Sequence, residues 1–179
     1  MMMETIKIRL MELEDLEEVR QIDRLSFSLP WPESAYRHEL LENPASMSWV
    51  AEASDLGGES KIVGMVVVWL ILDEAHIATL AVHPAYRRKG IGSRLLKQAL
   101  IEAVDRGARR AMLEVRANNA TAQSMYHRFG FVVVYRRPRY YRDNNEDALL
   151  MNLDHLAERV SEWEFEQDAI YHPPERGDK

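Results

Sequence analysis

At 179 residues, 46% of them hydrophobic and 29% charged, the chain is long enough for one packed domain and short for two, with an ordinary globular composition. Its net charge of −6 argues against sequence-independent nucleic-acid binding and weakly favours encounter with a basic polypeptide. The chain has no cysteine, which excludes disulfides and thiolate chemistry, and no apolar run near the roughly 20 residues of a membrane span; Met1 to Thr5 lacks the apolar core of a secretion signal, so a cytoplasmic protein is expected.

Ile6 to Leu10 alternates like an opening strand. Leu13, Leu16, Val19, Ile22 and Leu25 recur at helical spacing, and Pro30 and Pro32 around Trp31 break the helix. A short helix is expected over Glu33 to Glu42 and a strand over Met47 to Ala53. Valine-rich Lys61 to Leu72 and then Ala75 to Val82 follow as strands of an antiparallel sheet. After a loop from His83 to Gly90, the spacing of Ile91, Leu95, Ala99 and Ala103 predicts a helix that Gly107 closes in a left-handed conformation. Arg110 to Val115 reads as a strand, Ala120 to Arg128 as a helix, Phe131 to Tyr141 as a long strand and Ala148 to Leu153 as a last one. The strand–loop–helix–strand unit in the middle implies a parallel pair with a right-handed crossover. The domain is expected over 1–154. The acidic extension 155–179 is expected to form an amphipathic helix from His155 to Ile170, packed on the domain or on another subunit, and to be disordered from Pro173.

The loop after Val82 carries the first chemical signal. Arg87, Arg88, Lys89, Gly90, Ile91, Gly92 and Ser93 lead into a helix, whose start offers unpaired N–H groups and the positive end of its dipole. Glycines admit an anion close to the backbone, and the three cations add charge. A basic run is most often a solvated face, but here it leads into a helix start that carries two glycines. The spacing is not that of a nucleoside-triphosphate loop, because no lysine follows Gly92, nor the Gly-x-Gly-x-x-Gly of a dinucleotide fold. The pattern Val-x-Pro followed by Arg-x-x-Gly-x-Gly resembles the coenzyme A diphosphate loop of the GNAT acetyltransferases. That resemblance runs from about Ile6 to Leu153. It implies an α+β GNAT fold: a mixed, mostly antiparallel sheet splayed between its fourth and fifth strands and flanked by about four helices. It also implies acetyl-CoA as co-substrate, the pantetheine arm along the backbone of Leu80, Ala81 and Val82, and the diphosphate on the amides from Arg88 to Ser93.

Acetyl transfer from a thioester to an amine requires a base for the amine, donors for the oxyanion and a proton for the leaving thiolate. An α-amine, with an ordinary pKa of about 7.7–8.0, needs only a modest base, whereas lysine near 10.4 needs a stronger one. Backbone N–H groups of a splayed strand can serve the oxyanion. Glu114 stands in the otherwise apolar strand Ala111 to Val115, where an unpaired carboxylate would be costly, and Tyr126 lies on the following helix. Taken singly they read as well as a salt bridge of Glu114 to Arg116 or Arg87, and as a core aromatic. Together, in Leu113-Glu114-Val115-Arg116 and Ser124-Met125-Tyr126, they resemble the bacterial ribosomal-protein-alanine N-acetyltransferases, the RimI type. The resemblance implies Glu114 as general base, Tyr126 as general acid and Asn119 as a cofactor contact; Asn119 also reads as a helix N-cap.

Two further segments resemble that type. Ser26 to Pro32, with Pro30 and Trp31, is similar to its loop between the first two helices, lengthened here by Ser28-Leu29. Pro138 to Ala148, with Tyr140 and Tyr141, is similar to the hairpin shared with archaeal and eukaryotic N-terminal acetyltransferases. In the relatives these loops wall the peptide groove, which implies a protein N-terminus as acceptor, a ribosomal protein or similar. Trp31 and Tyr140 would equally serve as staples of loops to the core. Acetylation of a lysine or small-molecule amine is the alternative within enzymes, and a non-catalytic acetyl-CoA sensor the alternative outside them. His76 beside Glu74 reads as a hydrogen-bonded pair, and no histidine–carboxylate cluster has metal-ligand spacing, so no metal is expected.

Overall fold

In the computed structural model, residues 5–170 are described, with side chains as far as Trp163. One seven-stranded sheet has the order β1-β2-β3-β4-β5-β7-β6. Strands β1 (Thr5–Leu10), β2 (Ser46–Ser54), β3 (Ser60–Ile71) and β4 (Glu74–Val82) pair antiparallel in succession. In β3, Ile62 to Val68 are all buried, because helices cover both faces of the sheet there. The helices α1 (Leu16–Ser26) and α2 (Ala35–Leu41) lie on one face, over a core that includes Val19, Ile22, Tyr36 and Met65. On the other face lies α3 (Ile91–Asp105), which buries Ile91, Leu95, Leu96, Ala99, Leu100 and Ala103. Each buried leucine or isoleucine contributes roughly 1.5–3 kcal/mol. Gly64 sits beneath α3, where a β-carbon would lie 3.0 Å from Leu95 Cδ1 and 3.2 Å from the Ala81 carbonyl oxygen. Gly107 closes the helix at φ 99°, as its position after Arg106 predicts.

The remaining elements are β5 (Arg110–Arg116), α4 (Ala120–Phe129), β6 (Val132–Tyr141), β7 (Glu146–Leu153) and α5 (Leu156–Ile170). The chain visits β6 before β7, yet β7 lies inside, antiparallel to β5, and β6 is the edge. Among the described residues, four α-helices flank the sheet before residue 154, and α5 is a fifth. Leu156 and Val160 enter the main core, and Trp163 packs edge-on to Phe129 with ring centroids 5.1 Å apart. This end of α5 therefore packs on the domain, the first of the two placements that the sequence leaves open. Residues 1–4 and 171–179, including the tail from Pro173, lie outside the described residues.

The feature that positions the site is the parallel pair β4–β5. Its ladder runs only from Glu74↔Arg110 to Ile77↔Leu113. At that point the register of β4 against β3 shifts: Ile77 faces Val68 and Thr79 faces Val67, leaving Ala78 as an extra residue. A bulge bends its strand and breaks a ladder. Beyond it, Ala78 to Val82 and Glu114 to Arg116 have no pairing with each other, and the sheet opens between its fourth and fifth strands.

Candidate active site

The loop from β4 to α3 opens onto one end of this gap. Gly90 caps α3 in a left-handed conformation, φ 76°, and has no side chain to bond the first-turn amides of Ile91, Gly92 and Ser93. Arg88 also takes a positive φ of 61°, a conformation costly for a residue with a β-carbon, of the kind found at ligand sites. The side chain of Arg87 folds back along the surface: Nε donates to the Val82 carbonyl at 2.9 Å and Nη2 to Ser26 Oγ at 3.2 Å. Arg87 thus braces the loop against β4 and α1, while Arg88 is exposed and Lys89 Nζ lies 4.6 Å from the centre of the Tyr86 ring. Gly92 faces the gap's inner wall: a β-carbon there would stand 3.4 Å from Met125 Sδ, 3.6 Å from Leu80 and 3.7 Å from Val82. Uncapped amides, a local basic surface and an adjoining open strand edge from Ala78 through Leu80, Ala81 and Val82 together fit an elongated ligand bearing a diphosphate. Asn119 is the N-cap of α4, accepting the Ala122 N–H at 3.1 Å.

Glu114 lies on the splayed half of β5 with its side chain about a quarter exposed. Its carboxylate pairs with Arg137 of β6 at 2.7 Å, rather than with Arg116 or Arg87. The reason is topological. Ala148 of β7 stands in register between Arg116 and Arg137, and Leu150 between Glu114 and Tyr135, so Arg137 meets Glu114 diagonally across the intervening strand. The Tyr140 hydroxyl also hydrogen-bonds Glu114, and that bond holds the phenol above its ordinary pKa. Tyr126 is buried on α4, edge-on to Phe131. Burial, with a smaller contribution from Tyr141, pushes its pKa up to about 12. Burial likewise raises Tyr141 to about 12, against the opposing effect of Arg116 and with Glu114 adding to the rise. The fold therefore brings Glu114, Tyr140, Tyr141 and Tyr126 into one electrostatic neighbourhood.

The α1–α2 loop is fixed from three directions. Asp23 Oδ2 accepts the Trp31 N–H at 2.7 Å, Arg87 bonds Ser26, and Arg116 Nη2 bonds Ser28 Oγ at 3.2 Å. Asp23 is 2% exposed, its Oδ1 has no hydrogen-bond partner among the described residues, and burial raises its pKa. The Trp31 ring stacks on Tyr36 and Trp69, with centroids 5.0 and 6.3 Å away, while Pro30 beside it is exposed. Across the opening, Arg116 binds Asp143 at 2.8 Å and Glu146 at 3.2 Å, and its guanidinium lies 3.9 Å from the centre of the Tyr141 ring. Sequence reasoning did not assign Arg116, Arg137, Asp143 or Glu146 to the site. The available signal was Arg116 at the end of the Leu-Glu-Val-Arg stretch, charged at the mouth of an apolar strand. His76, by contrast, lies 3.0 Å from Glu74 as its position suggests, and among the described residues no group of three metal-ligating side chains converges.

Comparison with known proteins gives a consistent result. The profile of the acetyltransferase (GNAT) family matches residues 16–131. A Bacillus subtilis (strain 168) protein assigned as a ribosomal protein bS18-alanine N-acetyltransferase is 38% identical over 144 residues, 80% of this chain and 92% of its own length. The Escherichia coli (strain K12) ribosomal protein bS18-alanine N-acetyltransferase is 32% identical over 145 residues, 80% of this chain and 93% of its own length. The crystal structure of the ribosomal-protein-S18-alanine N-acetyltransferase from Escherichia coli aligns with a TM-score of 0.73 at 30% identity, covering 84% of this chain and 94% of that one.

Proposed function

The chain belongs to the acetyltransferase (GNAT) family, and on that premise we propose that it transfers acetyl from acetyl-CoA to the N-terminal α-amine of a protein, a ribosomal protein foremost. One observation carries the acceptor assignment: the α1–α2 loop and the β6–β7 hairpin are tied together through Arg116 over the gap that bears Glu114. Two loops on either side of the gap can hold an entering chain terminus along its backbone. The similarity to bS18-alanine acetyltransferases over nine-tenths of their length supports the same reading, and with it a place of action beside ribosomes in the cytoplasm.

Acetyl-CoA supplies the activated acetyl group. The amides of Ile91, Gly92 and Ser93 hold its diphosphate, with Arg88 and Lys89 alongside and Arg87 bracing the loop. Leu80, Ala81 and Val82 offer main-chain partners to the arm, and Asn119 keeps the start of α4 in place beside it. Glu114 takes a proton from the acceptor amine, which at its ordinary pKa of about 7.7–8.0 is partly neutral at physiological pH. Tyr126, protonated throughout the working range, donates to the departing sulfur. Its value of about 12 lies above the roughly 8.5 of an ordinary thiol, so it acts first as a hydrogen-bond donor and gives up the proton late. Tyr140 and Tyr141 face the acceptor chain from the hairpin, and Pro30 and Trp31 form the opposite wall.

The test is acetyl transfer to peptides carrying either a free or a blocked N-terminus, each with one internal lysine. The expected product is acetylated at the α-amine only, and blocked peptides stay unmodified. Equal modification of blocked peptides would assign the acceptor to lysine instead.

A further inference from the structure

Arg116 stands where four separate elements meet. It ends β5, two residues beyond Glu114 and on the same face of the sheet, since side chains alternate along a strand. Its Nη2 donates to Ser28 Oγ in the α1–α2 loop and to Asp143 Oδ2 in the β6–β7 hairpin, at 3.2 and 2.8 Å. Its Nη1 donates to Asp143, Asn144 and Glu146 at 3.2, 3.3 and 3.2 Å. Its guanidinium face covers the Tyr141 ring. Ser28 and Asp143 are also bonded directly, so the two loops and the cation form a closed triangle. Glu146 carries the linkage on to the β5–α4 turn by accepting the Asn118 N–H at 2.8 Å. Such a planar, multiply bonded guanidinium fixes geometry in a way that a lysine ammonium does not.

We propose that Arg116 is the positioning residue that sets the width of the acceptor groove, holding the α1–α2 loop and the β6–β7 hairpin at one spacing relative to Glu114. The inference rests on the acceptor reading above only for its kinetic consequence; the latch itself is a matter of loop spacing. Because the same strand carries Glu114 and Arg116, the groove and the base move together. Loosening the latch therefore weakens acceptor binding and misaligns its amine, while the coenzyme loop keeps the bond of Arg87 Nε to the Val82 carbonyl and its left-handed turn at Gly90.

Two measurements test this. In steady-state kinetics on an acceptor peptide, Arg116→Ala is expected to raise the peptide KM about ten- to hundredfold with little change in the KM for acetyl-CoA. Arg116→Lys should recover only part of the loss, and Ser28→Ala should move the same constant in the same direction by less. The second measurement needs no activity. The chain has no cysteine, so spin labels at Leu29→Cys and Arg142→Cys report the loop-to-hairpin distance without background. A narrow distribution is expected in the parent and a broad one in Arg116→Ala, with coenzyme A binding by calorimetry confirming that the variant is folded. An unchanged distribution, or a folded Arg116→Ala variant whose peptide KM is unaffected, overturns the proposal. If the parent acetylates no free N-terminus, the acceptor reading fails instead and the distance measurement alone decides the latch.

Discussion

The Glu114 carboxylate and the Arg137 guanidinium are 2.7 Å apart, although β7 runs between their strands. The ion pair, together with the Tyr140 hydroxyl, holds the carboxylate at the gap rather than leaving it to choose its own rotamer. On the proposed role of Glu114, a base so held would meet the amine in one geometry. Glu114→Gln should lower turnover by about 10²–10⁴-fold, leave coenzyme A affinity nearly intact and lose less at high pH, where free amine is plentiful. Rate against pH for parent and variant, with melting curves alongside, checks this. A variant that loses stability but not rate would assign Glu114 to the fold.

Tyr126 gives the complementary forecast. Phenylalanine keeps the ring against Phe131 and removes only the hydroxyl, so Tyr126→Phe should spare the melting temperature and lower the rate at every pH. Raising the pH should not rescue it, because the missing proton is one that is donated. With the phenol at about 12, the parent enzyme should also show no alkaline loss from this group below pH of about 11. Full turnover in the variant would remove Tyr126 from the chemistry.

The two loop glycines separate strain from access. At φ 76°, Gly90→Val forces a β-branched residue into the left-handed region, so it should lose fold stability, by about 1–3 kcal/mol, as well as coenzyme affinity. Gly92 has no such constraint, and Gly92→Val should weaken coenzyme A with a smaller effect on folding. Calorimetric titration and thermal unfolding distinguish the two. In the parent, coenzyme A should raise the melting temperature more than ATP or NAD at matched concentration, by mass action on the folded state.

Asp23 makes a prediction about pH. Its pKa in the folded protein is raised by burial above the ordinary value of about 3.9, so the neutral carboxyl favours the fold. That contribution is present below pH of about 4 and is lost as pH rises through the raised value. Asp23→Asn keeps an acceptor for the Trp31 N–H and stays neutral throughout. Its melting temperature should therefore match the parent's near pH 4 and exceed it by a growing margin toward neutrality. Parallel melting curves across that range would contradict the assignment.

What was legible in the sequence is what depends on near neighbours. The order of strands and helices, the left-handed Gly107 and the helix start at Gly90 follow from residues within a few positions of each other. The acid and base candidates came from the resemblance of one short stretch, Leu113 to Tyr126, to the RimI type. The latch did not, since Arg116 meets Ser28 and Asp143 across 88 and 27 residues of chain. The partner of Glu114 was hidden for a related reason. Arg137 lies two strands away, diagonally across β7 from Glu114, and no periodicity records that order. The bulge at Ala78 is equally silent: Ile77 to Val82 reads as an unbroken strand, and the shift becomes visible only against β3.

Gly64 lies a full layer beneath the coenzyme loop, yet a β-carbon there would press on Leu95 Cδ1 at 3.0 Å, the Ala81 carbonyl oxygen at 3.2 Å and Ile91 Cγ2 at 3.3 Å. Ile91 and Leu95 belong to the opening turns of α3, whose first amides are those proposed above to hold the diphosphate. A single added methyl would tilt that helix start by a few tenths of an ångström or push on the backbone of the open strand beside it. The proposed coenzyme site is thus supported from below by Gly64, on the strand under the helix. Gly64→Ala would therefore be felt at the start of α3 before it was felt anywhere on the surface.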